Sequence, residues 1–584
     1  MGAVGTTTGM ELSGNREFRP SSEYREWFKN GNTIYLGRTS RRGLPKNKEC
    51  VNASFMSFLE ESGDSVLLAK AQAYRQVQPN LVASFKSVSK YDKFQPVLNK
   101  DAWELAGDWT ERHFALAMGG SRVVTQELVI QELDQQTSCG FPWSLEFHTK
   151  SEFLSSPAIA ALGDYWDMLG QGTAPQVMVP IWTCAQKCEL RLVEKIQANK
   201  IRTFTASPIE HSVACNRLCL DMNNNFYAGA NKCWSFVGAN KYNQGFDGLY
   251  RRLSKHPNAF ELDESEFDSS LFAEAMYGQM EIRWNMLDRG DKTPEIRLRL
   301  ERIYDSIVKS VIVLENGELI QKTTGNPSGS ANTIVDNTMI LFRLFAYAWI
   351  ILAAEKFAES NLQKYMLASN ADVKVRKYLG SQFGGYSDFM EHVEAALNGD
   401  DNTFTVSDEC VSWFNPRAVS SVWSGIGVTT NTPCLDPRPL SECTFLSQSF
   451  KQINGLWLPC PATDRVLSSM MYGANIDDVR WHLMRASALR IDSWANIEVR
   501  DVLMDYINHL RRKFNDEMFG EVQFSPKRDP MSMDQVLSVY KSDDWIWGLY
   551  SGEEGIEQVS AVKSDLLKIV SDFSFLHTNL SPYL

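Results

Sequence analysis

No uninterrupted apolar run in this chain is long enough to cross a membrane. The longest, Leu344–Ala354, is about half of what a spanning helix needs, and Arg343 closes its N-terminal side. No transmembrane helix is therefore expected. No secretory signal is expected either, and the eleven cysteines are an odd number in a chain of 584 residues. Together these point to reduced thiols in a cytosolic setting rather than to a disulfide scaffold. A surplus of positive charge is also absent. The net charge of −12 argues against indiscriminate binding of nucleic acid and leaves room only for a local basic channel. There is no internal repeat and no long low-complexity run. What remains, 43% hydrophobic and 22% charged residues, describes a soluble globular protein too long for one simple core, so several subdomains are expected.

The stretch that organises the chain is Asn398-Gly399-Asp400-Asp401-Asn402. Residues 391–397 alternate imperfectly and 402–406 are rich in β-formers, which predicts two short strands around a Gly-centred turn. Two adjacent carboxylates then sit at a hairpin tip. Such a pair is costly unless a cation neutralises it, and a hard divalent ion such as Mg²⁺ takes carboxylate and phosphate oxygens together. Asp and Gly are also ordinary turn residues, so the motif alone leaves the plain-turn reading open.

The N-terminal Met1-Gly2-Ala3-Val4-Gly5-Thr6 fits the N-myristoylation pattern and equally a flexible Gly/Thr-rich end. Arg38, Arg41, Arg42, Lys46 and Lys48 form a basic patch readable as a solvated loop or an RNA contact. Thr137-Ser138-Cys139-Gly140-Phe141-Pro142 ends in Gly-x-Pro and predicts a rigid, exposed loop whose hydroxyls and amides suit phosphates. Lys187, Arg191 and Lys195 recur every fourth residue, and Lys200-Ile201-Arg202 alternates as a strand would; a solvated cationic face explains the first three equally well. Cys184/Cys188 and Cys215/Cys219 invite a zinc reading, although buried thiols at this spacing are common.

Residues 258–262 predict a strand that delivers Asp263, with Asp268 five residues on and a helix from Phe272. A helix over about 292–310 and a hairpin turning at 315–317 lead to Thr324-Gly325-Asn326-Pro327-Ser328-Gly329, a flexible loop by composition. A long helix from about Ser330 to Phe357 follows, in which Ser330, Thr333 and Asn337 share one polar face that must find partners. Beyond the Asp400 hairpin we expect a helix over 411–424, a strand over 425–430, one arm of a hairpin over 444–450, and a mostly helical tail from about 462.

The order basic stretch, D-x-x-x-x-D, S-G-x-x-x-T-x-x-x-N, G-D-D resembles the RNA-dependent RNA polymerases of positive-strand RNA viruses, over roughly residues 130–450. Thr137 to Pro142 looks like motif G, the template-entry loop; Lys187 to Arg191 with Lys195, Lys200 and Arg202 resembles motif F of picornaviruses. Asp263 and Asp268 fit motif A, Ser328 to Asn337 motif B, and Phe445-Leu446-Ser447 motif E. Within this group, of picornavirus, calicivirus and astrovirus type, Ile282-Arg283-Trp284-Asn285, Leu314 to Glu318 and Gly325 to Gly329 preceding Asp336-Asn337 are most similar to astroviruses.

The resemblance implies an α+β right-hand polymerase fold with an antiparallel palm sheet. Its implied parts are an N-terminal extension and fingers over 1–110, fingers over 111–240 and 280–325, palm over 241–279 and 326–450, and thumb over 451–584. It implies RNA synthesis from NTPs on an RNA template and nascent strand, with two Mg²⁺ ions (Mn²⁺ able to substitute) held by Asp263 and Asp400, assisted by Asp401. Lys187, Arg191, Lys195, Lys200 and Arg202 would grip triphosphate and RNA; Thr137, Ser138 and Gly140 would guide the template. Asp268, Ser328, Gly329, Thr333 and Asn337 would bind NTP and read the ribose 2′-hydroxyl. A protein primer and other viral replication proteins are implied partners, and the host cytoplasm at membrane-associated replication complexes the implied location. A reverse transcriptase, or a polymerase-like scaffold without activity, shares parts of the pattern. Two departures stand out. Motif D of the family offers a Lys as general acid, whereas residues 425–440 hold only Arg438, leaving water or Lys451 as proton source. The stretch between Asn337 and Asp400 is long, which predicts an inserted helical element near 356–385.

Overall fold

In the computed structural model the described residues are 20–39, 49–171, 179–360, 385–432, 434–472, 478–513 and 541–552, without the side chains of residues 231 and 357–360. Gly2, the basic residues Arg41, Arg42, Lys46 and Lys48, and most of the element expected near 356–385 lie outside them. Helices and short strands are mixed throughout, as an α+β chain requires.

The largest core is built around the helix Thr333–Ser360. Its stretch Thr333–Lys356 is apolar and long enough to cross a membrane, which a count of uninterrupted runs misses, yet 83% of its most apolar window is buried inside the protein. This is a core helix: Val335, Met339, Phe342, Phe345 and Trp349 are fully buried. Arg343, expected to bound the apolar run, is buried as well. Its guanidinium lies 4.1 Å from the Trp103 ring centroid, and Nη2 donates to the Trp103 carbonyl at 2.8 Å.

Against this helix lies an antiparallel sheet of three strands in the order Asn258–Phe260, Asp401–Val406, Val393–Asn398. Alternation explains why these residues chose strand: Ala259, Phe260, Ala395, Leu397, Phe404 and Val406 are all buried in the cores they separate. A five-stranded mixed sheet sets Ile34–Arg38 beside Glu318–Gln321, Val311–Val313, Ile181–Gln186 and Thr203–Ala206. A third sheet joins Thr444–Phe445, Gln448–Ile453 and Leu456–Pro461, and its middle strand runs across residue 450.

The C-terminal helices Thr463–Met471, Val479–Asp492, Ile497–Lys513 and Asp543–Ser551 form a second core. Phe55, Leu59 and Ala71 of the N-terminal helices Ala53–Ser62 and Ser65–Ala71 are part of it. Nothing in the sequence pattern announced this closure of the N-terminal segment onto the tail. It is fixed by Asn52, whose main-chain N–H donates to the Met471 carbonyl at 2.8 Å and whose Nδ2 donates to that of Met470 at 3.2 Å.

Several local expectations change. The strand expected over 425–430 shrinks to a single bridge, Thr430 to Glu264, because the helix Pro416–Gly425 uses up its start. Residues 444–450 are a complete hairpin rather than one arm, turning at Leu446 and Ser447, both at positive φ. The loop 137–142 is exposed only at its start, since Cys139, Gly140 and Phe141 are buried. The loop 324–329 is pinned rather than flexible: Gly325 N–H donates to Leu271 O at 2.7 Å and Asn326 N–H to Asp268 O at 2.8 Å.

A fully buried ion pair joins this loop's helix to its surroundings. Arg283 Nε donates to Asp336 Oδ1 at 2.8 Å, and the Tyr304 hydroxyl donates to Asp336 Oδ2 at 2.8 Å. Removing one member strands a buried charge, so Arg283→Met is expected to destabilise by about 3–5 kcal/mol, read as a lower urea midpoint. The double change Arg283→Met/Asp336→Leu should recover most of the loss. A single variant within about 1 kcal/mol of wild type would contradict the assignment.

Candidate active site

The hairpin Val393–Asn398/Asp401–Val406 pairs Asn398 with Asp401, which leaves Gly399 and Asp400 as its two turn residues. Gly399 supplies the positive φ of 68° that the turn demands. Its N–H donates to Thr338 Oγ1 at 2.9 Å, so the tip is tied to the buried core helix. Asp401 therefore starts a strand, while Asp400 occupies the turn itself.

Asn402 binds the hairpin to the end of the neighbouring strand. Its Oδ1 accepts from Leu262 N–H at 3.1 Å, and its Nδ2 donates to Leu262 O and Glu264 Oε1, each at 3.0 Å. Asp263 is held between them by its own N–H, which donates to Thr432 Oγ1 at 2.9 Å, and by its carbonyl, which accepts from Asn431 N–H at 2.7 Å.

These carboxylates open into a cavity of about 580 Å³. Asp263, Asp268, Asp400 and Asp401 line it together with Lys187, Arg191, Lys195, Arg202 and Ser328. The basic residues do not share a helix face as their spacing suggested. Lys187 follows the strand Ile181–Gln186, Arg191 sits in the strand Leu190–Leu192, and Lys195 in the short helix Val193–Gln197. A turn, not a helix, brings them to one wall. Glu189 orders the guanidinium groups, 3.3 Å from Arg191 and 3.8 Å from Arg202.

The electrostatics of the cavity are those of a site short of positive charge. Burial, then the neighbouring Asp400, raises the Asp263 carboxyl above its ordinary range. The same two causes push Asp401 up to about 7 and Asp268 up to about 6. Buried Glu264, behind Asp263, is driven well above the usual carboxylate range. Lys187 moves the other way, lowered by burial and by Arg202. Among the described residues no three His, Cys, Asp or Glu side chains form a ready-made metal cage. The donor set suits an ion that needs only one or two carboxylates and completes its shell with water and substrate phosphate, as Mg²⁺ does.

Next to the carboxylates lies a polar network. Asn337 Nδ2 donates to Asp268 Oδ1 at 2.5 Å, and Asn326 Nδ2 donates to Asn337 Oδ1 at 2.9 Å. Ser328 reaches Thr203 O at 3.5 Å. Gly329 packs so closely that an added Cβ would sit 2.4 Å from Thr205 O, so only glycine fits. Thr333 is not part of the cavity wall: its Oγ1 donates back to Pro327 O and Ser330 O, each at 2.9 Å, closing the loop before the helix.

Other residues singled out in the sequence stay outside the cavity. Lys200 is exposed on the turn after the short helix. Thr137, Ser138 and Gly140 lie in a separate loop, where Lys150 Nζ donates to Thr137 Oγ1 at 2.6 Å and Gly140 N–H to Ser138 Oγ at 3.2 Å. Arg438 pairs with Glu261, its Nε donates to Cys443 Sγ at 3.3 Å, and it is not among the residues that line the cavity. Lys451 is not among the lining residues either. The zinc reading also falls: Cys215 and Cys219 both accept from Asn332 Nδ2 at 3.3 Å, while Cys184 is buried in a strand and Cys188 is exposed.

Conversely, Tyr74, Lys90, Tyr91, Glu266 and Arg465 line the cavity without having been singled out. They come from the N-terminal segment, from an unremarkable position between Asp263 and Asp268, and from the tail. Lys90 and Lys93 hold Glu266 at 3.4 and 3.6 Å. Asn402, whose structural role went unread although it stands in the Asp400 stretch, is a polar residue in a β-rich run and so carried a readable signal.

Comparison with known proteins agrees with this geometry. Residues 51–499 match the family model described as Viral RNA-dependent RNA polymerase. The chain is 31% identical over 297 residues to Genome polyprotein 1 of Barley mild mosaic virus (strain Na1), covering 50% of this chain and 13% of that protein. It is 28% identical over 481 residues to Genome polyprotein 1 of Barley yellow mosaic virus (isolate Germany), covering 80% of this chain and 18% of that one. Against the Genome polyprotein of Bean yellow mosaic virus it is 28% identical over 347 residues, 59% of this chain and 10% of the relative. The chain thus spans less than a fifth of the length of each of these relatives. With the family match covering most of its length and the paired aspartates facing a basic wall, the chain belongs to the viral RNA-dependent RNA polymerases.

Proposed function

We propose that this chain copies a positive-strand viral RNA genome, transferring nucleotides from NTPs to an RNA 3′-hydroxyl by a two-metal mechanism. The observation that carries the reading is the single cavity in which Asp263, Asp400 and Asp401 face Lys187, Lys195 and Arg202. Asp263 and Asp400 would hold the ions, with Asp401 assisting. When bound, two Mg²⁺ ions, with Mn²⁺ able to substitute, would lower the pKa of the 3′-hydroxyl and neutralise charge on the phosphates. The chain's own task is positioning. Arg202, Lys195 and Lys187 would orient the triphosphate and meet the charge that develops on pyrophosphate, with Arg191 fixed beside them. Asp268 on the cavity wall and the buried Asn337 bonded behind it would offer the ribose 2′-hydroxyl an acceptor and a donor, with Ser328 also on the wall and Gly329 and Thr333 shaping the loop. Lys200, exposed beside this wall, and the loop carrying Thr137, Ser138 and Gly140 are assigned to RNA along its path.

The right-hand division is part of this proposal, with palm over 241–279 and 326–450, fingers around it and thumb from 451. It is supported by the antiparallel sheet that carries both Asp400 and the strand leading to Asp263. A narrower kinship with astroviruses would rest on the short stretches 282–285, 314–318 and 325–329 alone. Other viral replication proteins, a protein primer, and the host cytoplasm near membrane-associated replication complexes complete the reading.

Primer extension on a homopolymer RNA template with Mg²⁺ tests it. Wild type should extend with NTPs in preference to dNTPs, and Asp400→Asn should abolish incorporation while leaving the melting temperature and RNA affinity nearly unchanged. Wild-type rates in Asp400→Asn would remove the metal assignment.

The basic wall generates a second expectation. Arg202→Ala or Lys195→Ala should raise KM for NTPs and lower kcat together, because one set of cations meets both ground-state triphosphate and leaving pyrophosphate. A variant that lost only RNA affinity, with a shallower salt dependence, would reassign these residues to template binding.

Asp401 supplies a third. Its pKa is raised to about 7, so below that pH it carries a proton that a cation must displace. Apparent Mg²⁺ affinity should therefore rise with pH and level off above about 7. Calorimetry at pH 6.5 in buffers of different ionisation enthalpy should detect proton release, reduced in Asp401→Asn. Binding with no proton release at that pH would contradict the electrostatic account.

A further inference from the structure

Asn337 has one carboxamide and two polar neighbours. A half-turn about its last side-chain bond exchanges donor and acceptor at almost no steric cost, so only the neighbours decide which way it faces. Asp268 accepts from Nδ2 on one side, and Asn326 donates to Oδ1 on the other. Both partners select the same orientation.

Asn326 is itself bolted in place. Its N–H donates to Asp268 O at 2.8 Å, and its carbonyl accepts from the Tyr91 hydroxyl at 3.1 Å. The preceding residue, Gly325, is anchored through its carbonyl by the buried Lys322 ammonium at 2.7 Å, which also holds Ile307 O at 2.6 Å and Val308 O at 2.9 Å. The arrangement leaves one atom over. Asn326 Oδ1 is buried and has no hydrogen-bond partner. A side chain present only for packing has no reason to bury an unpaired acceptor. Turning the amide over would not relieve it, since Oδ1 would then face Asn337 Oδ1.

We propose that Asn326 is a positioning residue for sugar selection: by donating to Asn337 Oδ1 it locks that carboxamide with Nδ2 toward Asp268, so the pair meets the ribose in one fixed pattern. Neither Asn326 nor Asn337 lines the cavity wall; Asn326 acts only through Asn337, which is bonded to the lining residue Asp268. The inference rests on the reading in which Asp268 and Asn337 recognise the 2′-hydroxyl.

The test is single-nucleotide incorporation by the full chain, comparing kcat/KM for an NTP and the matching 2′-dNTP. Asn326→Asp presents an acceptor to Asn337 Oδ1 and should lower the NTP/dNTP ratio about tenfold, the effect of one lost buried hydrogen bond. Asn326→Ala removes the lock without reversing it and should lower the ratio less, by about threefold. In an Asn337→Ala background, Asn326→Asp should have no further effect on the ratio, because its only route is gone. A general weakening of the fold would depress both substrates alike and leave the ratio where it was. If Asn337→Ala collapses the ratio while both Asn326 variants keep it within about twofold of wild type, the inference fails and the sugar reading stands. If Asn337→Ala leaves the ratio unchanged, the sugar reading itself fails and the inference with it. Should Asn326→Asp not fold, the Asn326→Ala ratio decides alone: unchanged, it overturns the proposal.

Discussion

Crowding of carboxylates around Asp400 is the constraint on which the rest of the structure depends. Asp263, Glu264, Asp268 and Asp401 are all raised above their ordinary range, by burial first and by Asp400 as the next cause in each. Unpaired negative charge at this density would force the hairpin tip out into solvent. It stays because the turn is tied to Thr338 of the core helix and because cations arrive from several elements. Asn402 does what a charged residue could not. A carboxamide donates to Glu264 and Leu262 O while accepting from Leu262 N–H, holding the two strand ends together without adding to the charge.

Rigidity behind the site follows from the same need. Like charges keep their spacing only if the elements that carry them cannot drift apart. The helix Thr333–Ser360 is anchored by the Arg283–Asp336–Tyr304 triad, and the loop before it by Lys322 and Tyr91. The turn Leu446-Ser447 adds a local cost: both residues take positive φ without being glycine. Its return is placement, since Ser447 lines the cavity and the Leu446 amide partly offsets the raised pKa of Asp401.

Short-range patterns were readable and long-range ones were not. The hairpin at Asp400, the strand leading to Asp263 and the polar face at Asn337 follow from turn chemistry and periodicity, which are local. The basic residues were recognised by type, but a four-residue spacing misled about their backbone, because a strand, a turn and one helical turn can reproduce it. Arg438 was singled out as the one cation of its stretch; the carboxylate that holds it, Glu261, lies 177 positions away and could not be foreseen. Tyr91 and Arg465 carried no signal at all, as each depends on contacts formed only after the chain closes.

That closure has a chemical consequence. Tyr74 N–H donates to Ser468 Oγ across 394 positions at 3.2 Å, and Phe55 meets Tyr506 with ring centroids 4.8 Å apart. The entropic cost of so long a loop grows only logarithmically with its length, whereas the apolar surface buried between Phe55, Leu59, Leu503 and Ile507 is gained in full. Docking the N-terminal segment onto the tail is thus favourable on packing grounds alone. It also brings Tyr74, Lys90 and Arg465 into the cavity lining. A chain with a net charge of −12 in this way gathers cations around the cavity that Asp263, Asp268, Asp400 and Asp401 line. An anionic ligand there meets a field that the overall charge would not foretell, because the local basic stretch 187–202 is joined by Lys90 and Arg465, which only closure of the fold brings in.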